Sequence, residues 1–319
     1  MIEFDSVDEK ARGALFDRRT LLRFAAGAAA IAPLARAGQV RAAEALGVSD
    51  LPGGLTLISG AGTNVVCAAS PEGAVMVDGG LAARADEVVA QALARTKAKK
   101  VATLFNTCWR LEQTGANDKL GAAGARIVSH ENTKLWMGTE IDARWENKVY
   151  PPRAPIARPT KTFYTVDTLA DGPEKIETGY LLQAHTDGDI YVFFRKANVV
   201  VAGSAVAGRG WPVIDTATGG FLGGHVRGLE TLIKLADDKT VIVPADGPLL
   251  TKVDLEKQRA MYVSIMGKLQ TCMESGFGIA QVLQSAPAAD YVAERGDPTQ
   301  FLTLAFRSFW GHARQFKAI

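Results

Sequence analysis

Phe105-Asn106-Thr107-Cys108-Trp109-Arg110-Leu111-Glu112-Gln113-Thr114-Gly115-Ala116-Asn117 interrupts an otherwise apolar part of this 319-residue sequence with a dense polar run. Immediately upstream, Val101 to Phe105 has the short, β-branched and aromatic character of a strand, and the polar loop Asn106 to Gln113 follows without a spacer. Ala82 to Ala94 before it carries apolar residues at helical spacing. The unit therefore reads strand, helix, strand, with a polar loop at the strand's carboxyl end, where α/β folds commonly place their sites.

Working outward, Leu55 to Ser59, Asn64 to Ala69 and Ala74 to Asp78 read as an antiparallel strand meander, the last ending on a carboxylate followed by Gly79-Gly80. Downstream, Asn117 to Ala123 is a short helix, Arg126 to Ser129 a strand and Glu131 to Met137 another helix. From Gly138 to Thr160 the prolines at 151, 152, 155 and 159 predict a long extended loop, a candidate pocket wall. The second half repeats the outline, with strands at Ile176 to Thr178, Tyr180 to His185, Ile190 to Phe194, Val199 to Ala202 and Val241 to Val243, and a helix at His225 to Ala236. Two such halves predict two sheets packed face to face with helices outside. Beyond Asp254 the pattern is helical, over Leu255 to Ser275, Ile279 to Gln284 and Gln300 to Phe316, and no linker separates it from what precedes.

With 47% apolar and 22% charged residues the chain has the composition of a globular domain, and its formal charge of +2 gives no reason to expect a nucleic-acid partner. Cys67, Cys108 and Cys272 are too few and too widely spaced for a disulfide framework. At the N-terminus, Arg18-Arg19 precedes the apolar run Phe24 to Leu34 and then Ala35-Arg36-Ala37. This arrangement resembles a twin-arginine signal: the run is too short to span a bilayer, and Ala-x-Ala suits a signal peptidase. Residues 1–37 are thus expected to be a signal peptide read by the twin-arginine export machinery. The mature chain, 38–319, is expected in the periplasm or otherwise outside the cytosol, with no membrane span.

The stretch 105–117 resembles the signature of the metallo-β-lactamase superfamily, which at this place runs Asn-Thr-His-x-His-x-Asp-His-Thr-Gly-Gly-Asn. Asn106-Thr107, Trp109, Thr114-Gly115 and Asn117 fit the flanks, whereas all four metal-ligand positions differ. Other landmarks follow in the family's order. Asp78-Gly79-Gly80 matches an early Asp-Gly turn, and His185-Thr186-Asp187-Gly188-Asp189 the segment of the third metal histidine. Gly203-Ser204 stands where the family has Gly-Asp, and Pro244-Ala245-Asp246-Gly247-Pro248 where it has Pro-Gly-His-Gly-Pro. The resemblance implies an αββα sandwich, with a core over about 55–251 and a helical extension over about 252–319.

Carried over position by position, the first metal site would be Cys108, Arg110 and His185, and the second Glu112, Gln113, Ser204 and Asp246. Arg110 is a fixed cation and would repel a dication, while Gln113 and Ser204 are poor zinc ligands. No metal or other cofactor is therefore expected. The alternative is one zinc ion on Cys108, Glu112, His185 and Asp246; otherwise Arg110 takes Glu112 and Asp246 as counter-ions. Three functions follow. One is a ligand-binding pseudoenzyme of hydrolase descent with an unknown small-molecule ligand. A second is a metal-independent enzyme using Cys108 with His185 as base, and a third is a hydrolase with a single metal. Trp136, Trp145, Trp211, Tyr150 and Phe221 are candidate pocket aromatics, whereas His130, His225 and His312 read as structural or exposed.

Overall fold

Val66, Ala68, Val75 and Val77 alternate with Val65, Cys67, Ala74 and Met76 along two neighbouring strands, and each set enters a different hydrophobic cluster. A sheet that is apolar on both faces has to be covered on both, and this requirement organises the molecule. The computed structural model describes residues 45–169 and 174–310. The twin-arginine pair, the Ala-x-Ala site, His312 and the end of the helix expected over 300–316 lie outside these residues.

In chain order the first part runs β1 (Gly47–Asp50), β2 (Thr56–Ser59), β3 (Val65–Ser70), β4 (Gly73–Val77), α1 (Ala85–Thr96), β5 (Val101–Phe105), α2 (Leu111–Thr114), α3 (Asn117–Ala122), β6 (Arg126–His130) and α4 (Glu131–Met137). A hairpin of β7 (Ile141–Ala143) and β8 (Lys148–Tyr150) follows, then β9 (Lys161–Phe163). The second part comprises β10 (Val166–Leu169), β11 (Ile176–Tyr180), β12 (Ile190–Phe194), β13 (Val199–Gly203), α5 (Leu222–Leu235) and β14 (Val241–Pro244). The helices α6 (Lys252–Glu274), α7 (Ile279–Gln284), α8 (Val292–Arg295) and α9 (Thr299–Ser308) come last.

A seven-stranded sheet has the order β1-β2-β3-β4-β5-β6-β9, and a five-stranded sheet the order β10-β11-β12-β13-β14. The first four strands form the antiparallel meander, after which the pairs β4–β5, β5–β6 and β6–β9 are parallel. Between the sheets Val66, Val77, Phe105 and Val128 meet Ile190, Val192, Val201 and Val243 in one cluster. The outer face of the larger sheet packs on α1 and α3 through Met76, Leu104, Val88 and Leu120. That of the smaller packs on α5, α6 and α9 through Phe193, Leu229, Ile265 and Phe306. This is the α/β, αββα layering expected, with C-terminal helices covering the second sheet. All three cysteines are free and buried. Among the described residues no helix is long and apolar enough to cross a membrane.

Three sequence expectations change. Tyr180 to His185 is not a strand: β11 ends at Tyr180 and residues 181–189 turn, with Gln183 at φ 53°. Its apolar residues serve the outer core, where Leu181 and Ala184 are buried. The expected loop 138–160 contains the β7–β8 hairpin, held by register Ile141↔Tyr150 and Ala143↔Lys148. Proline excluded strands only after Tyr150, not before it. Finally β1, β9 and β10 were not read, being strands of three or four residues without a long alternating pattern.

Candidate functional site

The polar loop after β5 is held by a carboxylate from the neighbouring strand end. Asp78, wholly buried, accepts hydrogen bonds from the Thr107 backbone N–H (2.8 Å) and Oγ1 (2.7 Å). The same device recurs in the second half, where buried Asp189 accepts from the Thr186 N–H (2.7 Å) and Oγ1 (2.9 Å). Burial pushes the Asp78 carboxyl up to about 7 and that of Asp189 up to about 6, against the lowering effect of these hydrogen bonds. The halves are stitched together where the loops meet, by the Ile190 N–H on the Thr107 carbonyl at 2.9 Å. Gly203, at φ 54°, has no room for a Cβ, which would come 2.4 Å from Thr107 Oγ1. The motif's flanking amides form a reciprocal pair, Asn106 Nδ2 to Asn117 Oδ1 at 3.1 Å and Asn117 Nδ2 to Asn106 Oδ1 at 2.8 Å.

Arg110 stands on this frame and points toward the hairpin. Its guanidinium grips Glu146, just before β8, with two hydrogen bonds of 2.8 and 3.1 Å. Glu112 lies 3.9 Å from Nε and fully buried Asp215 3.9 Å from Nη1. The Trp109, Trp145 and Tyr150 rings surround it with centroids 5.1, 5.5 and 5.3 Å from Cζ. Burial works against the charge, but the Glu146 hydrogen bonds and the Glu112 and Glu146 charges outweigh it, so the pKa rises above an already high value. Asp215 also accepts from Trp145 Nε1 (3.2 Å) and Thr218 Oγ1 (2.9 Å), and its N–H donates to the His185 carbonyl (2.9 Å). The carboxylates around Arg110 are therefore Glu146, in the fork, with Glu112 and Asp215 each at 3.9 Å; among the described residues Asp246 is not one of them.

His185, Ser204 and Asp246 do come together, lining one cavity of about 220 Å³ with Arg209 and Trp211. Gln113 reaches Ser204 Oγ from Nε2 at 3.4 Å, while its Oε1 has no partner among the described residues. His185 Nδ1 lies 2.7 Å from the Val213 carbonyl, which requires the proton on Nδ1. Its Nε2 is buried without a partner among the described residues. Cys108 is fully buried and is not among the residues lining this cavity. Its thiol is pushed well up by burial and then by the Asp189 and Asp78 carboxyls, against the Arg110 N–H and charge, and so stays protonated.

These residues do not fit the zinc of the ancestral pattern. The second histidine position holds an arginine, a fixed cation already paired with Glu146, which cannot ligate a metal and would repel one. Among the described residues no three His, Cys, Asp or Glu side chains are placed to hold a metal ion. The alternative set Cys108, Glu112, His185 and Asp246 is accordingly not assembled.

Glu146 and Asp215 were missed by sequence reasoning. Glu146 lies in the proline-rich segment already marked as a pocket wall, so a search there for an arginine partner had a signal to find; Asp215 had none. Of the candidate aromatics, Trp145 and Tyr150 enclose Arg110, Trp136 lines a second cavity, Trp211 lines the His185 cavity, and Phe221 is core. His130 is structural: Nδ1 accepts the Asn132 N–H at the start of α4, and its ring stacks on Tyr180 at 3.8 Å. His225 is buried with neither ring nitrogen partnered among the described residues.

Comparison with known proteins agrees with the fold. The family model described as metallo-beta-lactamase superfamily matches residues 59–247. No curated protein matches the chain. Among solved structures, a metallo-beta-lactamase from Pontibacter korlensis is similar at 19% identity and TM-score 0.56, covering 68% of this chain and 99% of that one. The DIM-1 metallo-beta-lactamase is similar at 14% identity and TM-score 0.53, over 68% of this chain and 96% of that one. A double mutant of the sec-alkyl sulfatase PisA1 is similar at 10% identity and TM-score 0.63, over 84% of this chain and 50% of that one. At these identities the structures speak for the fold alone.

Proposed function

Because the chain belongs to the metallo-beta-lactamase superfamily yet carries a paired arginine at a metal-ligand position of its motif, we propose that it is a metal-free, non-hydrolytic member that binds a small molecule. The observation that carries this reading is the Arg110–Glu146 fork inside its aromatic cage. A guanidinium in that place supplies positive charge to the loop cluster without a metal, and it cannot lower the pKa of a water as a bound dication does. A fold that loses its metal keeps its cleft, and here His185 Nε2 and Gln113 Oε1 have no partner among the described residues.

The test is metal analysis of the purified mature chain, with β-lactam and ester hydrolysis measured before and after chelation and after added zinc. The expectation is zinc far below one per chain and no chelator-sensitive turnover. Stoichiometric zinc with chelator-sensitive turnover would overturn the proposal. We further propose export by the twin-arginine route, supported by Arg18-Arg19, the apolar run and Ala35-Arg36-Ala37. Replacing both arginines by lysine should leave folded precursor in the cytosol; unchanged export would refute it.

A further inference from the structure

A second cavity, of about 260 Å³, lies between α2, α4 and the β7–β8 hairpin. Its walls are Trp109, Leu111, Trp136, Met137, Ile141 and Tyr150, closed on one side by the chain from Pro151 to Ala154. The polar atoms of these rings are committed elsewhere. Trp109 Nε1 donates to Thr218 Oγ1 at 3.0 Å, and Trp136 Nε1 donates to an Asp187 carboxylate oxygen. The Tyr150 hydroxyl has Glu146 as its hydrogen-bond partner. Arg153, the charged residue on the wall, is engaged by Thr114 Oγ1 at 3.0 Å and Asp118 at 2.6 Å.

What the cavity offers a ligand is therefore ring faces, ring edges and hydrocarbon. A charged group placed there would lose its hydration and find no replacement. A planar ring gains edge and face contacts with the indoles and the phenol. An apolar cavity of about 150 Å³ is enough to hold benzene, and drug-sized pockets begin at about 300 Å³, so this one matches a fused two-ring system. We propose that it is a binding site for an uncharged bicyclic aromatic ring. It shares no lining residue with the cavity that holds His185 and Ser204, and is a site additional to the cleft of the reading above. Because Trp109 and Tyr150 also pack on Arg110, an occupant would touch two of the residues whose rings surround the guanidinium.

The test is isothermal titration calorimetry of the mature chain with indole, indole-3-acetate and tryptamine. Indole is expected to bind saturably with one site per chain, and the anionic and cationic analogues to bind roughly tenfold or more weakly. Leu111→Trp, a substitution at a half-buried wall position, should fill the cavity and abolish indole binding, while Lys257→Ala, in a different cavity, should not change it. Should Leu111→Trp lose its cooperative melt, Trp136→Leu, which removes one wall, should weaken indole binding instead. The proposal is overturned if indole does not saturate, if the charged probes bind as tightly, or if wall substitutions in folded protein leave binding unchanged. Zinc and turnover are measured on the same sample. Bound zinc with turnover defeats the metal-free reading, whereas a zinc-free, inactive chain that ignores indole defeats this site alone.

Discussion

Removing the guanidinium of Arg110 should expose how far it stands in for a metal. Its side chain is 11% exposed and that of Glu146 19%, and the two meet in a planar fork of 2.8 and 3.1 Å. Taking one partner from so buried a pair leaves an uncompensated charge, at a cost of about 3–5 kcal/mol. Glu146 keeps some contact with water, so Arg110→Met should fall at the lower end, about 3 kcal/mol. Glu146→Leu leaves Arg110 with Asp215 and Glu112, each at 3.9 Å, and should cost less, about 2 kcal/mol. The double variant removes both charges together. It should cost no more than Arg110→Met alone, giving a coupling of about 2 kcal/mol. Equilibrium urea unfolding of the four proteins reads this directly. Burial raises the Glu146 pKa, but the Arg110 hydrogen bond and charge outweigh it and hold it below the ordinary range. Such a depressed carboxylate contributes stability that is present above its unfolded value and lost as pH falls through the folded one, so the coupling should shrink on acidification. Additive costs, within about 0.5 kcal/mol, would refute the claim that the guanidinium is the charge partner of Glu146.

Two further outcomes are expected. His225 is held neutral in the fold, its pKa brought down to about 3 by burial and then by His185, so protonation favours the unfolded chain as pH falls from about 6.5 toward that value. His225→Phe, which keeps the edge-on packing at 5.2 Å from Tyr262, should therefore lose less stability than wild type over that window, and a pH-independent offset between the two would contradict this. Native protein at pH 8 should leave Cys108 unalkylated by iodoacetamide while urea-unfolded protein reacts, as mass spectrometry would show; rapid native labelling at that residue would revive the nucleophile reading.

Much of the fold could be read locally. The meander, the Val101–Phe105 strand with its polar loop, α4 and α7 follow from periodicity, because each buries a face whose spacing is written in a few adjacent residues. The landmark residues Asp78, Thr107, Asn117 and His185 were likewise legible, since they hold the loops in place whatever the cleft contains. What Arg110 does was not legible. Of the expected counter-ions Glu112 is present at 3.9 Å and Asp246 is not, while the carboxylate that forks onto the guanidinium is Glu146, on the hairpin, joined by Asp215 from the second half. Pairing across elements depends on where the hairpin folds back and on how the two sheets set the loops against each other. No local pattern encodes such long-range closure; only the packed tertiary structure decides which carboxylate a buried cation meets.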